Sequence, residues 1–124
     1  MQRFREAVES GDIDALVASL AEDVVFKSPI VFKPYQGREA VGRLLRAVTT
    51  VLLDFRYVHE LRGERQGALV FAARVGDRDL EGIDLLEVDA DGLVQHLTVF
   101  VRPLSAAQAL AAAVQAALAE LPTG

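Results

Sequence analysis

Asp84 stands in the run "EGIDLLEV" (residues 81–88), between Ile83 and Leu85, in a stretch otherwise built for a strand. A carboxyl in that place must be paired, neutralised or put to use. Burial among apolar groups disfavours the charged form and raises the pKa. The chemistry on offer is therefore that of a neutral acid, able to donate a hydrogen bond or a proton near neutrality. His59, in "DFRYVHEL" (54–61), titrates naturally in that range and would suit a second acid–base group if it enters the same pocket. The alternative for His59 is a half-buried histidine of a sheet. Ser28 is polar and precedes Pro29, but a serine without a neighbouring histidine is not an activated nucleophile. The two histidines lack ligand spacing and there is no cysteine, so no metal site and no cofactor is expected.

The elements that must position these groups can be read from periodicity and punctuation. Residues 2–10 read as a helix with Phe4, Ala7 and Val8 on one face, stopped by Gly11. Asp12 caps a second helix, in which Ile13, Leu16, Val17 and Leu20 recur at helical spacing. "DVVFK" (23–27) switches to strand composition, and Pro29 and Pro34 turn the next stretch into a loop, with Tyr35 near its end. A third helix begins after Gly37, with the stripe Val41, Leu44, Leu45, Val48 and Leu52. Strands are predicted over 54–61, 68–75, 78–88 and 93–102, the last three joined by "GD" and "DADG" hairpin turns. Ser105 and Gln108 form a capping-box pattern that opens an alanine-rich helix over 105–121, striped by Leu110, Val114, Leu118 and Leu121. That helix either closes the pocket mouth or extends a subunit contact. Helices first, then a run of strands, then a helix: this is an α+β chain with helices on one face of an antiparallel sheet.

The turns set the register. A two-residue "GD" hairpin pairs Val75 with Arg78, and hence Arg74 with Asp79, Phe71 with Gly82 and Leu69 with Asp84. Pairing Val88 with Leu93 then sets Asp84 opposite Leu97 and Gly82 opposite Val99. One face carries Leu69, Phe71, Gly82, Asp84, Leu86, Leu97 and Val99, with Gly82 leaving open space beside the acid. The other carries Val70, Ile83, Leu85, His96, Thr98 and Phe100. Helices can cover only one of these two apolar faces, so the second is expected to be buried in a homodimer.

Composition bounds the rest. The 124 residues make one domain (1–124), 52% hydrophobic and 25% charged, with one real core. The net charge of -5 and the scattered basic residues argue against nucleic acid as a partner. No stretch approaches the roughly 18 apolar residues of a membrane span, and the N-terminus has no apolar leader. A cytoplasmic location, with no membrane partner, is the expectation.

The stretches "FREAVESGDIDALVASLAEDVVFKSPI" and "YQGREAVGRLL" resemble the nuclear transport factor 2-like superfamily. Its members include ketosteroid isomerases, SnoaL-like polyketide cyclases, limonene-epoxide hydrolases and scytalone dehydratase. The resemblance implies a cone: a curved antiparallel sheet wrapped around the N-terminal helices, an apolar pocket, a C-terminal helix, and a homodimer through the convex sheet face. It also implies a small apolar ligand, and register and resemblance together put Phe4, Ser28, Tyr35, Leu69, Phe71, Gly82, Leu86, Leu97 and Val99 around Asp84. The "I-D" of ketosteroid isomerases, whose aspartic acid is a protonated oxyanion donor, matches Ile83-Asp84. Their general base falls on Ser28 and their first-helix tyrosine on Phe4, so their mechanism is not expected here. An isomerase, cyclase or dehydratase type of activity using Asp84 is the leading expectation, and a non-catalytic dimeric binding or association module is the alternative. Epoxide hydrolysis is weaker still, because it needs an Asp-Arg-Asp set and Arg74 is predicted to face away from Asp84.

Overall fold

A computed structural model describes residues 1–122. Helix α1 (Gln2–Ser10) ends at Gly11, whose φ of 71° is the left-handed conformation that glycine adopts without strain, and Asp12 N–H reaches back to Ala7 O at 3.1 Å. Asp12 then caps α2 (Ile13–Ala18), its Oδ1 accepting from Ala15 N–H at 3.0 Å. Strand β1 (Leu20–Lys27) and the short β2 (Tyr35–Gln36) precede α3 (Arg38–Val51). Four strands come next, β3 (Leu53–Arg62), β4 (Gln66–Val75), β5 (Arg78–Val88) and β6 (Val94–Arg102), and α4 (Leu104–Glu120) ends the order. Helix α4 starts one residue ahead of the expected cap: Pro103 is its N-cap and no side chain bonds there, so Ser105 and Gln108 form no capping box.

The six strands form one open sheet in the order β2-β1-β6-β5-β4-β3. It is mixed rather than wholly antiparallel, because β1 runs parallel to β6. Beyond the expected strands, β2 pairs through Val25 with Gln36 and Phe26 with Tyr35. Strands β4 and β5 alternate buried and accessible residues along their length, the signature of a sheet packed on one face. On the concave side, α1, α2 and α3 bring Phe4, Leu16, Val41, Leu44 and Leu45 onto a core that includes Leu69, Leu86 and Leu97. The arrangement is an α+β cone with α4 along one flank, against β4, β5 and β6 as well as α3.

The β4–β5 register is as expected, with Leu69 opposite Asp84, Phe71 opposite Gly82 and Arg74 opposite Asp79. The β5–β6 register differs by two residues: Asp84 faces Val99, and Gly82 faces Val101. The turn closes one residue later than expected, as Val88 pairs with Val94, and a bulge intervenes before Glu87 meets His96. Two single-residue slips restore parity from His96 onward, so the side chains beyond the bulge keep their face, while Val94, between the slips, turns into the core.

Gly82 corrects another expectation. The room beside it is taken by the Phe71 ring: a Cβ there would lie 2.6 Å from Phe71 Cε2 and 2.7 Å from Phe100 O. Gly82→Ala is therefore expected to cost about 1–3 kcal/mol through overpacking, read as a fall of several degrees in Tm. An unchanged Tm would mean that the ring is free to move aside.

Candidate functional site

Asp84 points from the middle of β5 into the concave side, where it is 7% exposed. Its acceptance of a hydrogen bond from Tyr57 Oη to Oδ2, at 2.9 Å, ties β5 to β3 across the intervening strand. Among the described residues, no side-chain nitrogen or oxygen is sealed in the interior without a partner. Oδ1, which has no such bond, is therefore reached from the cavity that Asp84 lines. Burial pushes the Asp84 carboxyl up to about 7, while the Tyr57 hydrogen bond pulls in the opposite direction. The phenol of Tyr57 is raised well above its ordinary value, first by burial and then by the neighbouring Asp84. The site is thus a carboxyl near its midpoint at neutrality, one oxygen capped by a phenol and the other open.

The cavity holds about 550 Å³ and is overwhelmingly apolar. That volume lies in the range of sites for small organic molecules. Phe55, stacked on Phe71 at 4.9 Å, and Tyr57, edge-on to Phe55 at 5.0 Å, form an aromatic wall beside the acid. Helix α3 supplies Leu44, Leu45 and Val48, and α4 supplies Leu110, Val114 and Leu118. Helix α4 thus forms a wall of the pocket. Its last turn is tied to α3 by Arg43, which donates to Leu118 O at 3.2 Å and to Pro122 O at 2.6 Å.

Of the residues expected around Asp84, Phe4, Ser28, Tyr35, Phe71, Leu97 and Val99 line the cavity. Leu69 and Leu86 do not: they are fully buried in the core, as is Gly82 under the Phe71 ring. Ser28 reaches the cavity with its hydroxyl already engaged, accepting from Ile30 N–H at 3.1 Å and Val31 N–H at 3.0 Å. It orders the β1–β2 loop, and this hydroxyl is no substitute for a carboxylate base.

His59 lies outside. Tyr57 pairs with Phe71, but a bulge at Val58 makes His59 pair with Val70, on the convex face, where its side chain is exposed. The same bulge pairs Glu60 with Leu69, and its carboxylate accepts from Arg5 on the concave side. His96 is also exposed on the convex face. Arg74 bonds Asp54 at 2.8 Å on the accessible surface, away from Asp84. Tyr57 is the residue that sequence reasoning did not single out. Its signal was alternation with Phe55 on a strand, and only the β3–β4 register turns that into contact with Asp84.

The sequence matches the SnoaL-like domain family over residues 1–97. A steroid delta-isomerase from Pseudomonas aeruginosa is 38% identical, with a TM-score of 0.91 over 95% of this chain and 88% of that one. A bacterial protein with a cystatin-like fold from Silicibacter pomeroyi is 36% identical, with a TM-score of 0.88 over 93% of this chain and 82% of that one. The epoxide hydrolase/cyclase-like enzyme SalBIII, of pyran ring formation in salinomycin, shares the fold at 20% identity, with a TM-score of 0.68 over 85% of this chain and 88% of that one. No curated protein matches the sequence. The chain belongs to the SnoaL-like family of the nuclear transport factor 2-like superfamily.

Proposed function

We propose that the protein binds a small, largely apolar molecule bearing a carbonyl or hydroxyl oxygen, and that neutral Asp84 donates its proton in a hydrogen bond to that oxygen. The observation that carries this reading is the Asp84 carboxyl, capped on Oδ2 by Tyr57 and open on Oδ1, inside a largely apolar cavity. A donor in a water-poor site strengthens its bond as negative charge develops on the ligand oxygen. The arrangement therefore suits polarisation of a carbonyl or protonation of a leaving hydroxyl, the chemistry shared by isomerases, cyclases and dehydratases. The base of a steroid isomerase has no counterpart at Ser28, and Phe4 brings no hydroxyl. The other carboxylate at the cavity wall among the described residues, Asp12, is occupied as the cap of α2. Where chemistry occurs, Asp84 acts as an acid, and the substrate must react without a strong carboxylate base at position 28. Arg74, paired with Asp54 outside the cavity, supports no epoxide-opening set.

Matched pairs of oxygenated and hydrocarbon probes test the reading by thermal shift: naphthol against naphthalene, tetralone against tetralin, a steroid ketone against its parent hydrocarbon. The oxygenated member of each pair is expected to stabilise the protein more. Equal stabilisation by the hydrocarbons would remove Asp84 from the recognition.

A second copy of the chain is proposed for the convex face. Ile83, Leu85 and Phe100 are 38%, 45% and 52% exposed there. They sit in register, Ile83 opposite Phe100 and Leu85 opposite Thr98, with Val70 beside Ile83. A contiguous apolar face of this kind suits pairing with its own copy about a two-fold axis. Sedimentation at micromolar concentration is expected to give a dimer, and Phe100→Glu a folded monomer. A monomeric parent protein would refute this contact. Among the described residues no helix is long and apolar enough to cross a membrane.

A further inference from the structure

We infer that Arg5 is a positioning residue for the cavity acid: clamped between Glu9 and Glu60, its guanidinium holds the Tyr57 ring so that the phenol caps one oxygen of Asp84 and leaves the other free. The guanidinium carbon lies 5.5 Å from the centroid of the Tyr57 ring, within cation–π range. Each of its three nitrogens has a carboxylate partner. Nε reaches Glu9 Oε1 at 3.2 Å, Nη2 reaches Glu9 Oε2 at 3.5 Å, and Nη1 reaches Glu60 Oε1 at 2.9 Å. Glu60 is itself oriented by Arg62, 3.2 Å from its other oxygen, and Arg62 also donates to Gln2 Oε1 at 2.9 Å. A planar fork held from both sides has little freedom to leave the ring face.

Tyr57 needs such a support. It lies on β3, an edge strand of the sheet, immediately before the bulge at Val58 where the ladder is interrupted. Phe55 meets its ring edge-on, and Arg5 covers a face. The bulge that carries His59 outward is also what brings Glu60 onto the concave side within reach of Arg5. The irregularity in β3 and the clamp on α1 thus form one device. The charged groups around the pair come from α1 and β3, namely Arg5, Glu9, Glu60 and Arg62. The cavity-facing residues of α3, α4 and β6 carry no ionisable group.

The consequence for the ligand rests on the reading of Asp84 as its donor, but the positioning is measured without any ligand. Carbon-13 NMR of the Asp84 carboxyl in the free protein gives its titration midpoint. Arg5→Met is expected to raise that midpoint by about half a unit or more, as Tyr57→Phe does, because the capping bond is weakened in both. Arg5→Met added to Tyr57→Phe is expected to shift it by less than half as much as with tyrosine in place. Glu60→Gln, which keeps the arginine and loosens the clamp, should move the midpoint in the same direction and serves if Arg5→Met folds poorly. A lowered Tm with an unmoved midpoint would make the cluster a plain structural ion pair. An equal shift in the Tyr57→Phe background would mean that Arg5 acts on Asp84 by charge and not through the phenol. Either result overturns the inference, whatever the probe molecules show.

Discussion

Asp84→Leu is expected to weaken binding of a steroid ketone by about 10- to 100-fold, the range for leaving one buried acceptor without its donor. Leucine also strands the Tyr57 hydroxyl, which now donates to Asp84 Oδ2 at 2.9 Å. Asp84→Asn is a different substitution in this site. Its carbonyl can accept from Tyr57 while its amide donates to the ligand, so affinity should fall by only about fivefold, in keeping with one weakened hydrogen bond. The two variants also part in their response to pH. For the parent protein, affinity should be level below the Asp84 midpoint of about 7 and decline above it, because the donor must be protonated. Asp84→Asn should show no such decline. Isothermal titration calorimetry across that range reads both effects. Unchanged affinity in Asp84→Leu would place the ligand oxygen elsewhere.

The second large effect concerns stability. The carboxyl of Asp84 is raised from an ordinary 3.8 to about 7 by burial, so the folded protein holds a proton that the unfolded chain releases. Within that window the native state binds more protons than the unfolded state, and stability falls as pH rises. The loss is absent below the unfolded value, accumulates between the two, and is complete above the folded one. A shift of this size corresponds to a total on the order of 4 kcal/mol. Other carboxylates contribute slopes of their own, so the useful quantity is the difference between parent and Asp84→Asn in urea unfolding. Asparagine should gain on the parent progressively from about pH 4 to about pH 8. A constant difference over that interval would mean that the carboxyl titrates alike in the two states.

How much of this was legible beforehand depended on turn chemistry. "GD" at 76–77 is a tight hairpin, and it settled the β4–β5 register and with it the face of Asp84. "DADG" misled by two residues, because Asp89 N–H closes on Leu93 O and a bulge comes after it. Parity hid the error, so the concave and convex residues were still sorted correctly. No such signal exists for β3. Its connection to β4 is a run of charged and glycine residues, and the bulge at Val58 has no glycine to mark it. Simple alternation puts His59 on the same face as Tyr57, and gives no sign of the partnership of Tyr57 with Asp84. The clamp of Arg5 by Glu60 spans 55 positions and depends on the same bulge, beyond the reach of any local pattern.

The departures from the steroid-isomerase pattern also gain a physical form. Ser28 spends its hydroxyl on two loop amides, and Phe4 is core. Tyr57 supplies from β3 a phenol that touches the acid directly. On the proposed reading, such a cavity suits polarising a ligand oxygen rather than removing a proton from carbon.

Whether Asp84 is a neutral donor aimed at a ligand oxygen is decided by the carboxyl titration of carbon-13-labelled Asp84, first alone and then with saturating steroid ketone. A midpoint near 7 is expected in the free protein and a higher one with the ketone bound, since binding favours the protonated acid. A midpoint in the ordinary carboxylate range, or one that the ketone leaves unmoved, would contradict it.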